Sequence, residues 1–94
     1  MGELPSIKLL EAGHVFPGPY MFKLIGRSEN GFVGRAVAAV RDALAAEVDP
    51  PYSVRETSGG RHVSVTVEAE VRSAHDVLAV YRRVNRLAGL VVLW

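Results

Sequence analysis

Residues 58–72, SGGRHVSVTVEAEVR, contain the feature that most constrains what this chain can fold into. From Val63 to Arg72 apolar and polar residues alternate strictly, and most of the apolar ones are β-branched valines. A period of two in such residues predicts a strand with one face in the core and one face in solvent. The Gly59-Gly60 pair ahead of it supplies the positive φ angles that a tight hairpin turn requires. We therefore expect the rest of the chain to cover the valine face of this strand.

Composition limits the classes of protein that need to be considered. The chain has 94 residues, 49% hydrophobic and 22% charged, which fits one globular domain with one core. The absence of cysteine excludes disulfides, thiolate zinc sites and a cysteine nucleophile. A formal net charge of +1 gives no general attraction to nucleic acid or to acidic membranes. Neither a signal-peptide pattern nor a membrane-spanning apolar run is present, so we expect a cytoplasmic protein without membrane association.

Hydrophobic spacing predicts three further strands and two amphipathic helices after an N-terminal arm. The arm comprises residues 1–18, with one short turn at Ile7–Glu11 and with Leu9, Leu10 and Phe16 as its anchors. The first predicted elements are a central strand Tyr20–Ile25 ended by Gly26 and a helix from Phe32 to about Glu47 with Ser28 or Asn30 as N-cap. An edge strand Tyr52–Thr57 and the long strand follow. The chain ends with a helix from a Ser73–Asp76 capping box to Leu87, with Gly89 as C′ residue, and a last strand Leu90–Trp94.

This order of elements predicts the topology of the domain. Strand, helix, strand, strand, helix, strand, connected by right-handed crossovers, gives an antiparallel sheet in the order 4-1-3-2 with both helices on one face. We therefore expect residues 19–94 to form an α+β, ferredoxin-like βαββαβ sandwich.

Short motifs spread over residues 9–94 match a known family. Residues 16–17 (FP) leading to 22–26 (FKLIG), the LLE at residues 9–11 and SGGRHVSVT at residues 58–66 are the matching segments, together with Ser73, Val77 and Tyr81 of the second helix. In these motifs the chain resembles the YbeD-like family of uncharacterised bacterial proteins. The resemblance implies a ferredoxin-like fold similar to ACT domains, which are small ligand-sensing modules. It implies no activity and no catalytic residues.

Two groups of polar residues are candidates for ligand binding. Lys23 lies on the solvent side of the first strand, where Ser64 and Thr66 of the long strand should face it. Arg27, Ser28 and Asn30 precede a helix N-terminus, where backbone amides and the helix dipole favour anions. The alternative interpretations are a solvated sheet face for the first group and a flexible helix cap for the second.

Other kinds of site find less support in the sequence. His14, His62 and His75 lack metal-ligand spacing, so we expect no metal and no cofactor. Arg27 and Arg35 suggest the phosphate loop of an acylphosphatase, but the glycine-rich motif of that enzyme class is absent. Arg82, Arg83 and Arg86 form a basic cluster, yet the long strand presents Glu68 instead of the aromatic residues on which RNA bases stack.

The sequence therefore leaves two main hypotheses for function and one minor one. The first is a non-catalytic, ACT-like regulatory module that senses a small molecule near the first strand-to-helix loop. The second is a protein-interaction adaptor that uses the open sheet face, with contacts from Met21, Ile25 and residues 90–94. RNA binding is the minor alternative, and we expect no enzymatic activity. Since the apolar last strand lies at an edge, we also expect a homodimer.

Overall fold

The computed structural model describes residues 4–57 and 59–94 of the chain. Residues 1–3 of the predicted arm and Ser58 of the predicted hairpin turn lie outside the described residues. In chain order the elements are α1 (Ile7–Gly13), β1 (Gly18–Arg27), α2 (Phe32–Ala43), β2 (Tyr52–Glu56), β3 (His62–Val71), α3 (Ala74–Val84) and β4 (Leu90–Leu93).

The four strands form one antiparallel sheet in the order β2-β3-β1-β4. This is the predicted order 4-1-3-2 seen from the opposite edge, so the ferredoxin-like α+β architecture is confirmed. The central pair, β1 with β3, is in register along its whole length, from Gly18 opposite Val71 to Arg27 opposite His62. The two edges of the sheet are β2 and β4, as the sequence predicts.

The core lies between one face of the sheet and the two long helices. Phe22 and Leu24 of β1 and Val65 and Val67 of β3 are fully buried on this face. Burying one such side chain contributes roughly 1.5–3 kcal/mol to folding. Helices α2 and α3 add the other half of the core, chiefly through these buried residues: Phe32, Ala36, Val37, Val40, Ala74, Val77, Val80 and Val84.

Strand β1 is longer than predicted at both ends, and Gly26 does not end it. Gly26 pairs with Val63 on one side and with Leu90 on the other, so the strand continues to Arg27. Its α-hydrogen faces the helices, where the Phe32 ring fills the position that a β-carbon would take. The glycine therefore serves close packing between strand and helix instead of a turn.

Helix α2 begins at Phe32, as predicted, but its predicted N-cap and its predicted C-terminal end were wrong. The N-cap residue is Gly31, with Asn30 before it in the left-handed conformation (φ 55°), so neither Ser28 nor Asn30 caps the helix. The helix ends at Ala43, because the Ala46 amide bonds to the Arg41 carbonyl and closes the last turn. Ala45 takes the left-handed position (φ 54°) that glycine usually occupies in such a closure, and no glycine marks it in the sequence.

The N-terminus of α3 differs from the predicted capping box. Ser73 is the N-cap residue, but its side chain makes no capping hydrogen bond. The Asp76 carboxylate accepts hydrogen bonds from the Arg72 amide (2.9 Å) and from Arg72 Nε (3.0 Å) and Nη2 (3.2 Å), instead of from the Ser73 amide. The helix ends at Val84 with Asn85 as its C-cap, so Gly89 lies in the following turn and is not the C′ residue.

Within the predicted arm, residues Ile7–Gly13 form a helix against the domain. Helix α1 extends the predicted turn to Gly13, and the Ser6 hydroxyl caps it by accepting from the Leu9 amide at 3.1 Å. Leu10 is buried and Phe16 is partly buried, as predicted, whereas Leu9 is 71% exposed and anchors nothing. Helix α1 packs beside α3.

The contact between Gly26 and Phe32 leads to a stability prediction. Gly26→Ala places a methyl group inside the Phe32 ring position and should lower the free energy of unfolding by about 1–3 kcal/mol, as overpacking does. Gly34→Ala is the matched control, since this helical site has open space around it and should gain roughly 0.5–1 kcal/mol. Urea denaturation measures both changes; equal effects of the two variants would contradict the packing.

The ion pair of Asp76 leads to a pH prediction. Hydrogen bonding to the Arg72 side chain holds the pKa of the Asp76 carboxyl below its usual value. The ionised Asp76 carboxylate therefore stabilises the fold at pH values above its pKa in the unfolded chain, which is about 4. This stabilisation is lost as the pH falls through the lower pKa of the folded state.

Asp76→Asn should therefore cost about 1 kcal/mol near pH 7, a modest figure because solvent screens the exposed Arg72. The difference from the unmodified protein should shrink below about pH 4. Urea titrations at several pH values measure this difference. A pH-independent cost for Asp76→Asn would rule out the ionic explanation.

Candidate functional site

The first predicted group, Lys23 with Ser64 and Thr66, lies together on the open face of the sheet. Lys23 is opposite Thr66, and Ser64 is opposite Ile25 in the next pair on the same face. All of these side chains point away from the helices, with Lys23 exposed and the two hydroxyl residues half-buried. The solvent-facing side of the central strand pair was therefore predicted correctly, while its role in binding stays a prediction.

Apolar side chains border Lys23 on this face. The Lys23 amide donates to the Trp94 carbonyl at 2.8 Å and the Trp94 amide donates back at 2.9 Å, which sets the two residues side by side. Val92 is opposite Ile25 in the same strand pair. Met21 and Trp94 are each 53% exposed. We call Met21, Ile25, Val92 and Trp94 the open-face apolar patch.

The second predicted group divides between two clefts. The Arg27 amide bonds to the Gly89 carbonyl and the Ser28 amide bonds to the Arg61 carbonyl, so the loop between β1 and α2 is tied to both neighbouring turns. One cleft, of about 390 Å³, is lined by Arg27, Glu29, Asn30, Arg35 and residues 88–91. The other, of about 380 Å³, contains Ser28 and Asn30 together with Val33, Val54 and Glu56.

Arg35 organises the first of these, which we call the arginine cleft. Its Nε donates to the Asn30 carbonyl and its Nη1 donates to the Ala88 carbonyl, each at 2.9 Å. The guanidinium thus joins the β1–α2 loop to the α3–β4 turn, and it lies 5.7 Å from the centre of the Phe32 ring. Sequence reasoning noticed Arg35 as a cation but missed this bridge, because Ala88 is 53 residues away along the chain.

Arg27 gives the arginine cleft a second cation. Its side chain is largely exposed, and its Nη1 lies 3.9 Å from a carboxylate oxygen of Glu29, beyond hydrogen-bonding distance. Two guanidinium groups on one open cleft favour a carboxylate or another small anion, since arginine binds such groups through paired N–H donors. Glu29 is the carboxylate with which such a ligand would compete.

The six predicted residues do not form one site. Lys23 and Arg27 are four residues apart on the same side of β1, a separation of roughly 13 Å along the strand. Lys23, Ser64 and Thr66 therefore belong to the sheet face, whereas Arg27, Ser28 and Asn30 belong to the loop end. Of these six residues, Asn30 alone lines both clefts at that end, together with its neighbour Glu29.

At the other end of the domain lies an apolar groove that the sequence did not predict. Its volume is about 330 Å³, and Pro19, Leu44, Val48 and Pro51 are among its lining residues. Arg41 at its border bonds to Asp42 and to Asp49 at 2.9 and 3.0 Å. The hydrogen bond from Arg41 lowers the pKa of the Asp42 carboxyl.

The histidines and the basic cluster occupy separate places. The His14 ring contacts the Tyr20 ring in a tilted arrangement, His62 begins β3 and His75 lies in α3. Within residues 4–57 and 59–94 no three histidine, aspartate or glutamate side chains are grouped to hold a metal ion. The arginines of α3 line a shallow groove of about 300 Å³ beside α2, where Arg83 approaches Asp42 at 3.7 Å.

Tyr81 is the ionisable side chain most affected by the core. Burial raises the pKa of its hydroxyl, and the Tyr20 hydroxyl at 3.1 Å adds to this effect. The phenol is therefore held neutral, which suits a structural hydrogen bond between β1 and α3. No helix in the described part of the chain combines the length and apolar character that crossing a bilayer requires.

Comparison with known proteins gives two matches. The model of a family described as "Protein of unknown function (DUF493)" matches residues 11–93. A "UPF0250 protein" from Shewanella piezotolerans (strain WP3 / JCM 13877) is 28% identical over 75 residues, which are 80% of this chain and 83% of the relative. Both matches are consistent with the resemblance to the YbeD-like proteins.

Proposed function

We propose that this chain, which belongs to the DUF493 family of proteins of unknown function, is a non-catalytic regulatory module that senses a small anionic molecule. The observation that carries the proposal is the convergence of Arg27 and Arg35 on the arginine cleft. The absence of any catalytic sequence motif supports a binding role in preference to an enzymatic one.

The hydrogen bonds of Arg35 suggest how binding would be sensed. A carboxylate in the cleft would accept hydrogen bonds from the Arg35 guanidinium. It would either replace the Asn30 and Ala88 carbonyls as acceptors or bind beside them. These carbonyls belong to the segments that lead into α2 and into β4. A ligand that interacts differently with two arrangements of these segments would shift the balance between them.

Thermal unfolding with a panel of ligands tests this proposal. The panel consists of the common amino acids and small dicarboxylic acids such as succinate. A ligand at a hundred times its Kd should stabilise the fold by about 2.7 kcal/mol, and this corresponds to a rise of roughly 10–20 °C in melting temperature for a domain of this size.

Arg27→Gln should abolish the rise, because it removes the exposed guanidinium of the cleft. Arg82→Gln is the matched control, since it removes the same charge from the outer surface of α3 and should leave the rise intact. The proposal fails if no compound of the panel raises the melting temperature, or if Arg27→Gln responds as strongly as the unmodified protein.

A second candidate function, that of a protein-interaction adaptor, is favoured by the open-face apolar patch. Met21 and Trp94 are half exposed beside Val92 and Ile25, and apolar side chains grouped in this way on a surface commonly mark contact sites. Trp94 is the single tryptophan of the chain and is of the residue type most enriched at binding hot spots.

Affinity capture with matched variants tests the adaptor function. A specific partner should be retained by the unmodified protein and by Val48→Ser, which changes an exposed valine on the opposite end of the domain. Trp94→Ser should lose it, with more than a tenfold weaker affinity for a hot spot worth about 2 kcal/mol. Equal capture by both variants would exclude the patch as the contact surface.

A further inference from the structure

The strand β2 has a free edge that is unusually regular. Its five residues, Tyr52–Glu56, pair without interruption with β3 on one side, and all of them are exposed. In the sheet order β2-β3-β1-β4 the described chain places no strand on its other side. Proline and lysine, which commonly protect such edges, are absent from these five positions, and the charged residues are confined to Arg55 and Glu56 at the end of the strand.

Hydrogen bonds next to β2 show which of its residues direct their N–H and C=O groups toward β3 and which direct them outward. The Pro51 carbonyl accepts from the Glu68 amide, and the Thr57 amide donates to the His62 carbonyl, so these odd-numbered residues face β3. In an antiparallel pair successive residues direct their N–H and C=O groups to opposite sides. Tyr52, Val54 and Glu56 therefore direct theirs outward, away from the sheet.

The same residues carry side chains that the helices leave uncovered. Val54 and Tyr52 are opposite Val65 and Val67, which are fully buried, so they lie on the helix side of the sheet. Because α2 packs over β3 and β1, Tyr52 stays 50% exposed and Val54 46% exposed. One edge thus presents free backbone groups and uncovered apolar side chains from the same residues.

We propose that two copies of this chain associate by antiparallel pairing of their β2 edges about a two-fold axis at Val54. Val54 then lies opposite Val54 of the second copy, and Tyr52 lies opposite Glu56 of the second copy. Every outward N–H and C=O group of Tyr52, Val54 and Glu56 gains a partner, and the two sheets become one. This inference rests on β2 alone and is independent of the proposed anion binding.

Charge selects this register over its neighbours. With the axis at Val54, Arg55 lies opposite Ser53 of the second copy on the open face, so no like charges are directly opposed. An axis at Arg55 would set the two Arg55 side chains directly opposite each other, which is destabilising. An axis at Ser53 would set Glu56 opposite Pro50, which has no N–H to offer.

The other edge is a poorer surface for pairing. The register between β1 and β4 shifts between Ile25 and Gly26, so the short β4 carries a bulge near Val91 and Val92. A bulge interrupts the row of outward backbone groups and is a common form of edge protection. The homodimer expected from the sequence stays a prediction, but β2 is the edge that the geometry favours for it.

Sedimentation of the full chain over a range of concentrations tests the pairing. The unmodified protein should associate reversibly to a dimer. Val54→Pro should remain a monomer, because proline removes an N–H that points outward and leaves the bonds to β3 intact. A protein that stays monomeric at the highest concentration, or a dimer that persists in Val54→Pro, would overturn the proposal.

A matched pair at Ser53 tests the register and does not depend on a proline variant that folds. Ser53→Glu sets a carboxylate opposite Arg55 of the second copy and should tighten the dimer roughly fivefold to tenfold, since the contact occurs twice. Ser53→Arg sets like charges opposite each other and should weaken it by a similar factor. An unchanged dissociation constant in both variants, or changes of the same sign, would exclude this register.

Discussion

The pairing of β1 with β3 is the constraint on which the rest of the molecule depends. The two strands are matched without a break from Gly18 opposite Val71 to Arg27 opposite His62. Because side chains alternate between the two faces of a strand, a slip of one residue would move Lys23 into the core and expose Phe22. The valines of β3 fix the register, and the register in turn fixes which polar residues reach solvent.

The period of two in β3 explains why the architecture was predictable, whereas it says nothing about the capping bonds and the C-terminal ends of the helices. The face of β3 that is buried is a property of its own residues, and right-handed crossovers then leave one strand order. The end of α2 depends on Ala45 taking a left-handed conformation that its residue type does not indicate. Asp76 likewise had two possible partners, and three hydrogen bonds from Arg72 outweigh one from the Ser73 amide.

The candidate site shows the same division. Lys23, Ser64 and Thr66 came together as predicted because alternation alone places them on one face. Arg27, Ser28 and Asn30 were grouped as neighbours in the chain, but Arg27 and Ser28 line different clefts, because successive residues at the end of a strand point to opposite faces of the sheet. The bridge made by Arg35 joins segments that are distant in sequence, so no local pattern could reveal it.

Alternation also makes the two edges of the sheet chemically different. In β2 the residues that direct their backbone N–H and C=O groups outward also have their side chains on the helix side of the sheet. A single strand paired along this edge would therefore bond those backbone groups and cover those side chains. In β4 the bulge interrupts this alternation, so outward backbone groups and side chains on the helix side no longer coincide along the whole strand. The arginine cleft lies beside β4, while the Ser28 amide ties its loop to Arg61 of the β2–β3 hairpin. An anion would influence self-association through contacts such as that hydrogen bond, the second cleft, which Asn30 lines together with Val54 and Glu56, or the packing of α2 on β3.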